Sequence, residues 1–404
     1  MKEKIKTTAD CFWYGIFLLA YGVIIGLIVG VIDAGFGRVL LGITAFRGEH
    51  IVWLLPFLAP VGVLIVWAYE KYGGSSKQGM GLIFKVGHGE EEKIPLRLIP
   101  FSIVGTWLTH LFGGSAGREG VAVQIGATFS QWFGKKIRKN ENTNVFLIAG
   151  MAAGFAGLFG TPIAAVFFAL EVLVVGAFQY QALIPAISSA FVASMTSRAL
   201  GLEKFEYALA VSIPLNAKVF CMLVILGALF GVVGAIFALL LKYLKEKFGQ
   251  MIENPMKRIF LLGLFLSILL LLCWQGRYSG FGTNLISLTF GEGTVYPYDW
   301  VLKLLFTVFT LSIGFQGGEV MPLFSIGASL GAIVAPFFGI PVVFGGALGY
   351  IAVFGSATNT FLAPMLIGAE VFGYQYLPYF FIVCAIAYVV SGNYTIYGGQ
   401  KQRD

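Results

Sequence analysis

Two glutamates have unusual surroundings. Glu119 lies beside Arg118 in a stretch from Leu98 to Gly134 with no other charge. Glu319 precedes a longer one: from Val320 to Gln400 the only charged residue is Glu370. A charge at the centre of a bilayer costs about 3 kcal/mol on insertion scales. Such residues are functional suspects. Both sit in the pattern G-x-x-G-x-E, as Gly114, Gly117, Glu119 and Gly314, Gly317, Glu319. Each pattern runs into an apolar helix opening. A helix start exposes unpaired N–H groups and the positive end of the dipole, which suits an anion without any full positive charge. Ionised, Glu119 imitates an anion and fills that place; protonated, it leaves and admits a solute. Burial favours its neutral form and a helix start its charged form, so the balance is tunable. The structural alternative is a Glu119–Arg118 pair or a helix N-cap. Glu319 has the same alternative, although a buried acid without a partner is costly.

Other polar residues point to structure. Glu171 and Glu370 each end an apolar helix, where a hydrogen-bonding role is the better reading. His50, His88 and His110 form no cluster, and His110, in an apolar run, reads as a satisfied core histidine. Cys11, Cys221, Cys273 and Cys384 lack metal or redox spacing and read as buried small hydrophobes. There is no GxSxG, no HExxH and no pair of aspartates within the spans. A membrane-embedded enzyme would need a nucleophile–base pair or a metal there. The expectation is no enzyme, no metal and no cofactor.

The elements that carry these residues are membrane spans. Of 404 residues, 58% are hydrophobic and 12% charged. A soluble domain is about one quarter charged. Residues 11–32, 98–117, 142–170, 172–197, 219–241 and 259–276 contain no Asp, Glu, Lys or Arg. A span needs roughly 20 apolar residues, so ten or more segments fit. The run from Val320 to Ala369 is interrupted by Gly-Ile-Pro, Phe-Gly-Gly and Phe-Gly-Ser, which predicts several short or re-entrant helices. The formal net charge is +7, with basic clusters in MKEKIK, in KKIRK at 135–139, in KYLKEK at 242–247 and in the KQRD tail. These clusters flank spans, so they indicate no nucleic acid; the positive-inside rule places both termini in the cytoplasm. No cleavable signal and no sizeable soluble domain are expected.

The two halves echo each other. Each G-x-x-G-x-E is followed by Ile-Gly-Ala, at Ile125–Ala127 and Ile326–Ala328. GFAGLFG from Gly154 matches GYIAVFG from Gly349, and each precedes an apolar segment ending in a lone glutamate. The same order twice favours duplication, with repeats at 1–205 and 206–404. The residues alone leave parallel and inverted repeats open.

These motifs resemble those of the CLC family of anion channels and anion–proton antiporters. GGSAGREGVAVQIGA is similar to its GxxxGREGPxVQ motif, and GMAAGFAGLFGTPIAAVFFALEV to its next helix pair. GFQGGEVMPLFSIGASLG is similar to its GxFxP motif, and SGNYTIYGGQ falls where the family has its central tyrosine. The match runs from about residue 15 to 400. It implies an all-α polytopic membrane protein with two inverted-topology repeats and broken or re-entrant helices. It also implies a homodimer with one anion pathway per subunit. Glu119 becomes the external gating glutamate, and Tyr397 the hydroxyl donor to the anion, with Tyr394 as second choice. The helix-start backbone near the anion falls at Gly120 and Val320.

The departures are informative. Where the family has a central serine motif, this chain reads SSKQGMGLIF, with Met80 in place of serine. Glu319 and Val320 stand where GxFxP has an apolar residue and Phe, and Met321 precedes Pro322. Val121 replaces the proline of the first motif, and Val172 stands where exchangers carry an intracellular proton glutamate. Together these resemble the fluoride–proton antiporter branch, in the inner (plasma) membrane. A thioether offers no donor, so Met80 weakens a chloride-type site. Fluoride requires short, strong donors, and a protonated carboxyl is one. Glu119 and Glu319 could each supply it. Ring edges carry partial positive charge, so Phe84 could also touch the ion. The alternative for Met80 and Phe84 is core packing. Met321 completes the expected anion-binding set. The rival on the same fold is a chloride–proton antiporter or a passive channel.

Overall fold

A computed structural model describes residues 2–138, 143–291 and 293–402, with side chains from Asp10 onward. Lys139, Arg403, Asp404 and the side chains of MKEKIK lie outside the described residues. Among the described residues, sixteen α-helices fall into two series of eight. The first holds α1 (Lys2–Leu54), α2 (Leu58–Ala68), α3 (Met80–Gly87), α4 (Leu98–Leu111), α5 (Glu119–Ile137), α6 (Thr143–Phe159), α7 (Pro162–Glu171) and α8 (Leu183–Ala199). The second holds α9 (Ala217–Met251), α10 (Pro255–Leu272), α11 (Thr283–Phe290), α12 (Asp299–Ile313), α13 (Val320–Val334), α14 (Val342–Thr358), α15 (Leu362–Phe372) and α16 (Leu377–Ser391). The same partners pack in both series: α1 with α8 as α9 with α16, α4 with α5 as α12 with α13, and α5 with α6 as α13 with α14.

Local chemistry sets the helix ends. The side chains of Asn216 and Asn254 accept amide hydrogens of the first turns of α9 and α10. Gly314, at φ +117°, closes α12 in a left-handed conformation that glycine adopts freely. The helix closes just before the loop that ends in Glu319.

Two sets of contacts fix the relation between the halves. Gly117 N–H donates to Gly318 O at 2.5 Å, and Gly318 N–H donates to Gly117 O at 2.8 Å, an antiparallel bridge between the two G-x-x-G-x-E loops. The lone glutamates are exchanged as well. Glu171, ending α7, accepts amide hydrogens of Phe361, Leu362 and Ala363 at the start of α15. Glu370, in the last turn of α15, accepts those of Ile163 and Ala164 at the start of α7. Each carboxylate caps the other half's helix, where the dipole favours negative charge. Equivalent elements meeting antiparallel is the arrangement of an inverted repeat. Both glutamates therefore have the structural role expected of them.

The helices carry apolar residues all round, inside and out. Phe146, Phe155, Phe168 and Tyr350 are buried, while Phe12, Trp13, Ile187, Phe191, Phe220 and Ile236 are exposed. Such helices belong in an apolar solvent. Among the described residues, five helical stretches are long and apolar enough to cross a membrane: Asp10–Gly87, Ala217–Met251, Pro255–Leu272, Val320–Phe338 and Tyr374–Ser391. Among the described residues, five more apolar helices are shorter, with 10–17 residues.

Two expectations need correction. Phe-Gly-Gly and Phe-Gly-Ser break nothing; both lie inside α14. The true breaks are Gly-Ile-Pro and the turn at Asn359, whose φ is +51°. Glycine inside a helix here serves close approach rather than interruption. Of the cysteines only Cys384 is buried, and Cys11 and Cys221 are exposed. With an apolar solvent outside, a small hydrophobe has no reason to turn inward.

The close approach is severe. A Cβ on Gly126 would lie 2.1 Å from Gly150 O, and one on Gly327 would lie 2.0 Å from Gly349 O. The obstruction is backbone, so no side chain can rotate away. Gly126→Ala is expected to cost about 3 kcal/mol or more, through overpacking at α5–α6. Thermal unfolding in detergent checks this, with a lower midpoint and a smaller folded yield as the expected outcome.

Candidate functional site

A cavity of about 770 Å³ opens between the halves. Met80, Phe84, Gly120, Glu319 and Tyr397 all line it. They come from four places in the chain. Met80 begins α3, and Phe84, one turn on, shares its face. Gly120 lies in the first turn of α5, and Glu319 immediately precedes α13. Tyr397 comes from the C-terminal segment. That segment is tied down by Ile396 N–H to Ala357 O at 2.9 Å, by Gln400 to Val172 O, and by parallel pairing of β1 (Val174–Val175) with β2 (Lys401–Gln402). The Tyr397 ring lies 5.3 Å from that of Phe84. Its hydroxyl has no protein hydrogen-bond partner among the described residues, which leaves it free to donate to a solute. Tyr394 is exposed and does not line the cavity.

Glu119 sits behind the cavity and is fully buried. Its carboxylate accepts from the Arg118 amide at 3.2 Å and faces the Met321 amide at the start of α13. Glu319 is its counterpart: a Cβ on Gly120 would lie 3.8 Å from Glu319 Oε2. Each glutamate thus lies against the first turn of the other half's helix. One reaches the cavity and the other does not. Arg118 Nε is 3.5 Å from Glu119 Oε1, and neither atom has a hydrogen bond. The pair is loose, so the structural reading of Glu119 as a locked ion pair fits poorly.

Val320 and Met321 stand apart from the expected set. Both are buried and neither lines the cavity. The Met321 backbone N–H faces Glu119. Two residues after Glu319 on a helix, its side chain points to the other face. His110 is only half satisfied: Nε2 bonds Gly117 O at 3.3 Å, while Nδ1 has no partner.

Several lining residues escaped the sequence reading. Gln124 lies one turn beyond Gly120 and lines the cavity. So do Lys85, Lys242, Lys245 and Arg258, which make the wall basic. Lys77 and Lys401 are held by Glu70 and Glu90 at 2.6 Å each. Lys401 holds the Glu90 carboxyl below its usual range. Lys245 has no ion pair among the described residues, and its charge acts on Glu319. The basic cluster KYLKEK was legible; its place on the cavity wall was not. Among the described residues no group of three or more His, Cys, Asp or Glu could hold a metal.

Basic walls, helix starts, a half-buried acid on the cavity and a fully buried one behind it suit passage of an anion. A model of the voltage gated chloride channel family matches residues 61–392. The chain belongs to the voltage gated chloride channel (CLC) family. It is 35% identical over 392 residues to a chloride/fluoride channel protein of Pseudomonas syringae pv. tomato, covering 95% of this chain and 86% of that one. It is 27% identical over 298 residues to a voltage-gated ClC-type chloride channel, ClcB, of Salmonella typhimurium, covering 70% of each. Among solved structures, a CLC-type fluoride/proton antiporter superposes with a TM-score of 0.95 at 53% identity, covering 96% of this chain and 98% of that one. A slow cyanobacterial Cl⁻/H⁺ antiporter superposes at 0.82 with 22% identity, which speaks for the fold alone. The protein has the CLC fold and is a multi-pass membrane protein.

Proposed function

We propose that this CLC protein is a fluoride–proton antiporter, exporting fluoride from the cytoplasm in exchange for protons. One observation carries the reading. Two carboxylates meet at crossed helix starts, one lining the cavity and one buried behind it, with a thioether where a hydroxyl would serve chloride. The relatives support it: one is named a chloride/fluoride channel protein, and another, at 53% identity, is a fluoride/proton antiporter.

Fluoride enters the basic cavity and reaches Met80, Phe84, Glu319 and Tyr397. Protonated, Glu319 donates its O–H to fluoride, a short charge-assisted bond. The Tyr397 hydroxyl donates a second hydrogen bond. The Glu119 carboxylate competes with fluoride for the helix-start amides. When Glu119 takes a proton from outside it vacates that place, and fluoride leaves outward. When it gives the proton inward it returns. The gating acid thus carries the proton one way and admits the anion the other way. No bond of a substrate is made or broken, so the protein is no enzyme. We place it in the inner (plasma) membrane with both termini cytoplasmic, as a homodimer whose halves divide at 205/206.

The test is fluoride and chloride efflux from proteoliposomes, read by ion-selective electrodes with external pH monitored. Faster loss of fluoride than chloride, with protons moving the opposite way, is expected. Equal chloride transport would remove the substrate assignment.

Met80 has its own expected result. Met80→Ser gives chloride a hydroxyl donor, and a hydrogen bond to a charged group contributes about 1.5–3 kcal/mol. Chloride flux is expected to rise about tenfold relative to fluoride. The same electrodes read that ratio.

A further inference from the structure

We propose that Phe281 is the second barrier of the exchange: its ring closes the way from Glu119 to the membrane face opposite the cavity, and Lys303 holds the loop that carries it. The inference rests on the antiport reading and deepens it. Strict exchange requires that the pathway never open to both faces at once. The cavity reaches Gly120 and Glu319 from one face. Whenever Glu119 vacates the helix-start amides, only a further barrier stops fluoride from streaming through, and it has to lie beyond Glu119. The course of α10 shows where. The helix starts on the cavity wall, at Pro255 and Arg258. It is apolar and has 18 residues, enough to cross the membrane. At 1.5 Å per residue it carries the chain about 27 Å. Residues 273–282 therefore lie at the opposite face.

Phe281 is the ring this segment places against the acid. It is buried, with the His110 ring 4.5 Å away between centroids and the Arg118 guanidinium 5.1 Å from its own centroid. Arg118 Nε in turn stands 3.5 Å from Glu119 Oε1. The order inward from the opposite face is thus loop, Phe281, Arg118, Glu119. All of Phe281, His110, Arg118 and Glu119 are buried, and none lines the cavity. Arg118 Nε and Nη1 have no hydrogen bond, so the contact with the ring is a main tether of the guanidinium. Fluoride leaving Glu119, or a proton reaching it from outside, has to pass this stack, and the ring is the part that can swing aside without breaking a hydrogen bond.

The loop is built both to hold the ring and to let it move. Phe281 stands between Gly280, at φ +68°, and Gly282, at φ +87°, left-handed positions that glycine takes without strain. Such positions absorb the dihedral changes of a moving segment. The surroundings are fixed. Arg277 and the Tyr278 hydroxyl each donate to Asp299 at 2.7 Å. Gly280 pairs with the loop that ends in Glu119: its N–H donates to Gly114 O at 2.9 Å, and its O accepts from the Ala116 N–H at 3.2 Å. Lys303 of α12 completes the hold. Fully buried, it donates to Ser115 Oγ at 2.9 Å, Tyr278 O at 3.1 Å and Gly280 O at 2.6 Å. A buried ammonium is costly unless its hydrogens are all bonded. Here all three go to one joint, between the loop of Glu119 and the loop of Phe281.

The test uses the full-length chain in proteoliposomes, with fluoride efflux and proton uptake recorded together by electrode. Phe281→Ala removes the ring and leaves both glutamates and the loop's backbone bonds in place. While Glu119 is protonated and displaced, the cavity then opens straight to the opposite face, and several fluoride ions pass for each proton. The fluoride-to-proton ratio is expected to rise. Fluoride efflux without proton movement should grow about tenfold over the wild-type leak, the scale of losing one buried ring's contacts. Lys303→Met keeps the ring but leaves Tyr278 O without its ammonium partner and weakens the hold on Gly280, so the ratio should rise in the same direction. A merely structural lesion lowers both fluxes together and leaves their ratio unchanged. If Phe281→Ala does not reconstitute, Lys303→Met carries the test. A wild-type ratio in Phe281→Ala, or in Lys303→Met where it stands alone, beside a coupled wild type, overturns this inference. A wild type that moves fluoride with no opposing proton movement overturns the antiport reading instead.

Discussion

In Glu119→Gln, coupled exchange is expected to vanish while the protein folds normally. The buried side chain keeps its size. Glu119 Oε1 makes no hydrogen bond, and Arg118 Nε stands 3.5 Å away, so the amide breaks no tight pair. What it lacks is a proton to release and a charge to return to the helix-start amides. Both steps of the cycle need that exchange. A positioned proton carrier is worth about a hundredfold or more in rate when proton transfer limits. The expected observation is fluoride efflux at background level, with no opposing proton movement. Retention of proton-coupled efflux in the variant would remove Glu119 from its role.

Glu319 should separate binding from turnover. Its carboxylate faces the cavity and lies beside Gly120, where fluoride would meet it. Glu319→Ala removes the donor. One charge-assisted hydrogen bond contributes about 1.5–3 kcal/mol, so fluoride affinity should fall tenfold or more, to about a hundredfold at the upper end. Glu319→Gln keeps a donor of similar reach but cannot release a proton. Its apparent affinity should stay within about threefold of wild type, a difference well under 1 kcal/mol, while turnover falls. Fluoride efflux measured against internal fluoride concentration gives both parameters. Equal losses of affinity in the two variants would place Glu319 among the packing residues.

The acids were legible because membrane spans tolerate so few of them. Glu119 and Glu319 stood out by isolation and by a shared pattern, and the structure places both at helix starts. Glu171 and Glu370 were legible as helix-end ligands, although the exchange of caps between halves is a tertiary fact. Tyr397 rested on the resemblance alone; nothing in its local pattern separates it from Tyr394. Met321 and Val320 are buried without lining the cavity, a placement that adjacency to Glu319 does not reveal, since successive helical residues turn by about 100°. Gln124 and Lys245 were invisible as wall residues because the cavity is closed by segments far apart in sequence.

The central claim is that a buried acid and an anion take turns, so that a proton gradient does work on fluoride. The most direct measurement imposes a proton gradient on proteoliposomes with equal fluoride on both sides and follows fluoride by electrode. The account predicts net fluoride movement toward the acidic side, against its own growing gradient, collapsing when a protonophore is added. Fluoride that stays balanced under the gradient, yet equilibrates freely when unbalanced, would show a passive pathway and contradict it.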